Sequence, residues 1–163
     1  MHNIPLPIVD VLSQYSVLSL SVCHDDIPGS ASAFYAFDPS KQRLIVLSAL
    51  DTEHGRMMSL NPSVAGTVSG QFTDITQIHG LQFLGTARLL DSPARCEPAL
   101  ETYYQRFPQA RGMLAPVWDI HLMQLKLTDN RLGFGTKLRW NRHDGTTSPA
   151  SHCTASHTTK TSP

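Results

Sequence analysis

The sequence predicts a mainly β fold, a small closed barrel of about seven strands with peripheral helices. Three observations carry this. Short runs of alternating or continuous apolar residues recur between clusters of Gly, Pro, Asn and Asp. The run Ile78 to Leu90 alternates cleanly, with Leu81, Phe83, Ala87 and Leu89 on one face, but is interrupted by Gly85. A glycine there marks a bulge or bend of the kind barrels need at their corners. In Trp118 to Thr128 the apolar phase moves from Trp118, Ile120 and Leu122 to Met123, Leu125 and Leu127, which implies a second irregularity.

Pro7 can open a helix, because its missing N–H is not needed in a first turn. Ile8, Val11, Leu12 and Tyr15 then fall on one face. Ser16 to Cys23 reads as a strand, His24 to Gly29 as a turn cluster, and Ala31 to Phe37 as the second strand. After a turn over Asp38 to Lys41, Leu44 to Leu47 is a continuous apolar run, the pattern of a strand buried on both faces. Asp51 or Thr52 can cap a short helix that stops at Asn61-Pro62. Val64 to Val68 and Ile78 to Leu90 follow as strands. Pro93 introduces a helix whose stripe is Cys96, Leu100, Tyr103, Tyr104 and Phe107. Pro98 is tolerated only in a first turn, so the helix is expected to start nearer Glu97. Trp118 to Thr128, a turn at Asp129-Asn130, and a strand over Leu132 to Trp140 complete the set.

The 163 residues suggest one domain with a tail. From Asp144 the composition shifts, and Gly145 to Pro163 is mostly Ser, Thr, His, Ala and Pro, with too little apolar surface to offset ordering entropy. We therefore divide it into a folded domain, 1–142, and a flexible tail, 143–163. Basic and acidic residues balance at 13 each, and no Lys/Arg block occurs. Nucleic acid and anionic membranes are thus not expected partners. The start of the chain lacks the charge and apolar run of a signal peptide, and no segment reaches the ~18–20 apolar residues of a membrane span. Three scattered cysteines point to a reducing compartment, so the cytoplasm is expected. Eight histidines show no metal-ligand spacing, and no Gly-x-Ser-x-Gly elbow is present.

The richest chemistry lies between Leu44 and Ala65. Ser48, Thr52, His54 and Arg56 gather hydroxyls and cations where a helix begins. Free N–H groups and the positive end of a helix dipole favour an anion at such a place, above all a phosphate. The same residues can also be read as nothing more than the cap of a surface helix. Gly133 to Lys137 lacks P-loop spacing and reads as a bend. Arg139 and Trp140 read as core or subunit contacts.

The order of a helix, paired strands, Leu47-Ser48, Thr52-Glu53-His54, Asn61-Pro62-Ser63-Val64-Ala65 and Gly85-Thr86-Ala87-Arg88-Leu89 resembles the pyridoxamine-phosphate-oxidase-like split barrels. These are dimeric FMN-binding proteins, and the likeness is to a small bacterial branch of them. Ala33-Phe34-Tyr35, Val64 to Val68, Ala115 to Trp118 and Thr128 to Gly135 carry the same likeness, which spans about residues 8–140. The resemblance implies a split β-barrel of six to seven antiparallel strands with peripheral helices. It also implies a homodimer with FMN at the subunit interface and flavin-dependent oxidoreduction of a small molecule. A non-catalytic module for FMN, haem or a deazaflavin is the alternative. By position, Ser48 matches a hydroxyl near the flavin, Thr52 a hydroxyl on the FMN phosphate, and His54 a residue that is usually Lys or Arg on the same phosphate. Ala33, Phe34 and Tyr35 match the strand lining the ring system. Two departures stand out: Glu53-His54 replaces a basic pair, and Gly80 stands where the oxidases proper carry a glutamine. The vitamin B6 reaction is therefore not expected.

Overall fold

The computed structural model describes residues 3–143. All but the first residue of the expected tail lies outside them. Three α-helices and seven strands alternate as α1 (Leu6–Gln14), β1 (Val17–His24), β2 (Ile27–Asp38), β3 (Arg43–Leu47), α2 (Glu53–Leu60), β4 (Ser63–Ser69), β5 (His79–Leu89), α3 (Pro93–Arg106), β6 (Val117–Asp129) and β7 (Lys137–Asn141). The strands follow the order β3-β2-β1-β4-β5-β6-β7, and β3 also pairs with β6. That extra pairing closes the sheet on itself. β6 can serve both neighbours because it is long: Val117 to His121 faces β3, and Gln124 to Thr128 faces β7.

The change of partner occurs where the apolar phase shifts. Leu84 pairs with Gln124 but Gly85 pairs with Leu122, so Met123 is the extra residue of a bulge. Gly85 permits it, because a Cβ there would lie 2.8 Å from the carbonyl oxygen of His121. The barrel interior is filled by Leu18, Leu20, Leu44, Val46, Leu81, Phe83, Ile120, Leu122 and their neighbours, with α1 closing over them through Ile8, Val11 and Leu12. A second, smaller core lies outside the barrel wall. There α3 packs Ala99 and Tyr103, with Phe107 at its C-cap, onto Ala36, Ile45 and Val117. β3 is thus covered on both sides, which is why its sequence is apolar without alternation.

Three expectations about boundaries are corrected. The β1–β2 turn is only Asp25-Asp26, both in the left-handed region at φ 50° and 63°. A two-residue turn of that hand matches the strand twist, so Pro28 and Gly29 belong to β2 and pair with Cys23 and Val22. Helix α3 begins at Pro93 and not near Glu97, and it tolerates Pro98 inside. Ala94, whose carbonyl loses its partner there, is exposed, so water can satisfy it. The last strand is shorter than Leu132 to Trp140. Asp129 caps a single turn over Asn130–Leu132 by accepting from the Arg131 N–H, and Gly133 and Gly135 carry the chain through φ 120° and 77°. Trp140 is buried in the barrel core.

A buried ion network fastens the corner where β2, β3 and β6 meet. Arg43 donates from Nε to Asp38 at 3.0 Å and from Nη1 to Asp119 at 2.9 Å. His121 Nε2 lies 3.1 Å from the other oxygen of Asp119. Burial pulls the His121 imidazole below its ordinary value; Asp119 opposes this, while Arg88 and Arg142 reinforce it. The unfolded chain therefore takes up the proton first as pH falls. The stability this neutral histidine contributes is complete above the ordinary imidazole value of about 6.5 and is lost as pH drops toward the lowered folded value. Urea midpoints are expected to fall between pH 7 and about pH 5.5, with His121→Asn flattening the slope. An unchanged slope in that variant refutes the assignment.

No helix among the described residues is long and apolar enough to cross a membrane.

Candidate functional site

The end of β3 is held in place from β6. Beyond Leu47 the Ser48 N–H donates to the Pro116 carbonyl at 3.1 Å, and the Ser48 carbonyl accepts from the Trp118 indole N–H at 3.1 Å. Trp118 is itself buried, so Ser48 leaves the strand in a fixed direction. The chain then turns into α2, whose N-cap is Thr52. Its hydroxyl accepts from the Gly55 N–H at 3.1 Å and donates to the Ala49 carbonyl at 2.8 Å. Gly55 fits tightly: a Cβ on it would stand 2.3 Å from the Ala49 carbonyl oxygen and 2.8 Å from Thr52 Oγ1. Met58 anchors the far side of α2 in the barrel core.

This geometry brings three of the expected residues together. His54 Nε2 lies 2.7 Å from Ser48 Oγ and 3.4 Å from Thr52 Oγ1, and the two hydroxyl oxygens are 3.4 Å apart. Ser48 is buried, while Thr52 and His54 are half-buried. The N–H groups of Glu53 and His54 open α2 and have no intrahelical carbonyl to reach. Two hydroxyls, an imidazole and free backbone donors therefore converge on one small volume. One refinement follows from the hydrogen bonds: the single proton of Thr52 is directed to Ala49. Thr52 shapes the turn first, and it can donate to an anion only by rotating away from that carbonyl.

Arg56 is exposed on α2 and forms no hydrogen bond with the trio among the described residues; only its backbone N–H is engaged, by the Thr52 carbonyl. The strand residues divide by face. Tyr35 is fully buried and donates its hydroxyl to the Leu12 carbonyl at 2.9 Å, so its phenol belongs to the core. Ala33 packs partly against the same core. Phe34 points outward, 57% exposed, with its ring 5.5 Å from that of Phe107. Tyr35 pairs with Val46, which sets Ala33 and Phe34 beside the end of β3 where Ser48 emerges. Trp118 and Gly55 had no functional reading in the sequence. Trp118 read as an apolar strand residue, and the signal at Gly55 was a glycine three residues after a threonine cap.

No family model matches the sequence. Curated relatives do. The UPF0306 protein YhbP of Salmonella paratyphi A is 43% identical over 131 residues, covering 80% of this chain and 88% of that protein. The UPF0306 protein YhbP of Escherichia coli is 45% identical over 116 residues, covering 71% and 78%. Solved structures share the fold at low identity. A heme binding protein from Mycobacterium smegmatis superposes with a TM-score of 0.70 at 13% identity, over 85% of this chain and 59% of that one. A putative pyridoxamine 5′-phosphate oxidase from Listeria innocua gives 0.60 at 19% identity, over 74% and 94%. A FAD-binding protein from Mesorhizobium loti gives 0.64 at 16% identity, over 76% and 93%. The expected fold class stands: a mainly antiparallel split barrel with peripheral helices. On the strength of its curated relatives, the chain belongs to the UPF0306 family.

Proposed function

We propose that this protein binds FMN, with the phosphate at Ser48, Thr52, His54 and the first turn of α2, and serves as a flavin-dependent oxidoreductase on a small molecule. The observation that carries the reading is the convergence of Ser48, Thr52 and His54 within hydrogen-bonding reach at a helix start. The donor set suits a phosphate: hydroxyl and N–H donors, an imidazole beside them, and a turn kept narrow by Gly55. The flavin, when bound, supplies the hydride or electron chemistry. The chain's own residues hold the phosphate and fix its direction through Ser48, which Trp118 and Pro116 pin from behind. Phe34 and the backbone of Ala33 and Tyr35 offer the adjoining surface for a ring system. Arg56 supplies longer-range positive charge. A homodimer with the cofactor between subunits is part of the proposal; exposed Val17 and Phe34, paired across β1 and β2, offer apolar surface for it.

The second reading is a non-catalytic binding module for FMN, haem or a deazaflavin. Glu53 favours it, because a carboxylate in the first turn of α2 opposes a phosphate there. The purified protein's visible spectrum and an FMN titration separate these readings. His54→Ala and Thr52→Ala are each expected to weaken FMN by on the order of 1–3 kcal/mol, the worth of a charge-assisted contact. Thr52→Ala should also lower fold stability by about 1 kcal/mol through the lost cap. Glu53→Gln should tighten FMN. Failure of the wild type to bind added FMN overturns the first reading, and identical affinities in all three variants overturn the site. For a yellow protein, reduction by a nicotinamide cofactor distinguishes enzyme from carrier.

A further inference from the structure

A second polar cavity lies on the outer wall of the barrel, at the opposite end of β3 from Ser48. It measures about 210 Å³, and Arg43 contributes to its wall together with Lys41, Arg88, Arg95, Asp119 and His121. The residues arrive from separate elements: Lys41 from the β2–β3 turn, Arg88 from β5 opposite Asp119 of β6, and Arg95 from the first turn of α3. The N-terminus of that fourteen-residue helix opens onto the cavity through Ala94. Pro93 has no N–H, and the Ser92 side chain makes no capping bond, so the Ala94 N–H has neither an intrahelical partner nor a cap.

Charge is unevenly satisfied here. Asp38 and Asp119 each give one oxygen to Arg43, Asp119 Oδ1 has no hydrogen-bond partner and lies 3.1 Å from His121 Nε2, and Asp91 meets Arg95 only at 3.6 Å with both side chains exposed. The Arg88 guanidinium and the Lys41 ammonium form no hydrogen bond or ion pair among the described residues. The independent observation is Arg43 itself. It is 4% exposed, yet its Nη2 has no hydrogen-bond partner while Nε and Nη1 are both engaged. A buried guanidinium nitrogen left without an acceptor is costly, and the side chain that carries it lines this cavity. A bare surface ion pair would leave no such donor beside the unpaired side chains of Arg88 and Lys41.

We propose that this cavity is an anion site that takes a small phosphate monoester or phosphate itself, separate from the site at Ser48, Thr52 and His54. Several donors from different elements suit a tetrahedral dianion better than a planar carboxylate. The inference does not depend on flavin binding, since the cavity shares no residue with that site.

The test is a titration of the full chain with inorganic phosphate at constant ionic strength, read by calorimetry and by the His121 imidazole resonance, which reports locally. Saturable binding is expected, at least about tenfold tighter than acetate. Arg88→Gln combined with Arg95→Gln should weaken it by about tenfold or more, with the unfolding midpoint preserved because both side chains are exposed. Binding should survive in His54→Ala. A His121 response that merely follows chloride, equal affinity for acetate, or binding indifferent to the double substitution overturns the proposal. Loss of binding in His54→Ala also overturns it, by assigning the phosphate to the other site.

Discussion

Replacing Arg43 with methionine is expected to destabilise the fold by about 3–5 kcal/mol at neutral pH, the cost of stranding buried charge. Arg43 answers two carboxylates at once, and Asp38 and Asp119 are both buried. Burial alone would push the Asp38 carboxyl up; hydrogen bonds from Ser40, Arg43 and the Lys41 N–H outweigh it and hold the group below its ordinary value. In the native protein this carboxylate contributes stability above the ordinary value of about 3.9, which is lost as pH falls through the lowered folded value. In Arg43→Met the sign reverses. The stranded carboxyls prefer to be neutral, so the deficit should shrink as pH falls toward about 4. Urea unfolding at both pH values measures this. Asp38→Asn and Asp119→Asn added to Arg43→Met should recover much of the loss, since removing a whole buried network costs less than breaking it. A deficit below about 1 kcal/mol at neutral pH would show that the corner is held by its packing instead.

Gly55→Ala should cost the candidate cofactor site about tenfold or more in FMN affinity, with a stability loss of about 1–3 kcal/mol from overpacking. The added methyl has nowhere to go: its nearest atoms are the Ala49 carbonyl oxygen at 2.3 Å and Thr52 Oγ1 at 2.8 Å. Backbone on one side and the capping hydroxyl on the other cannot both give way without opening the turn. That turn sets the spacing of Ser48, Thr52 and His54. Helix α2 itself should persist, because Met58 holds its other face in the core. Comparing FMN titration with the circular dichroism midpoint separates local opening from global loss. Unaltered affinity would mean that the turn is not what positions the phosphate donors.

Much of this architecture was legible because it depends on local periodicity. The unbroken apolar run of β3, the alternation of β5 and the phase change in β6 each report how many faces a strand buries. Thr52 as a cap and the stop at Asn61-Pro62 follow from backbone chemistry a few residues long. The errors arose where local rules gave way to context. By local rules Pro98 belongs in a first turn, yet its side of α3 is open to water and the helix runs through it. Leu132 to Thr136 looked like strand until Asp129 and the positive-φ glycines folded it into a turn.

The sequence by itself determined the fold class, the capped turn and the identity of Ser48, Thr52 and His54 as a group, because those depend on neighbours along the chain. Only the tertiary structure decided that Trp118 pins Ser48, that Tyr35 faces the core, and that Arg43 binds Asp119 from another strand. Those contacts join residues 70, 23 and 76 positions apart. The first and third exist because β6 closes the barrel against β3, the second because α1 packs over β2, and no periodicity in one element records which element will lie beside it.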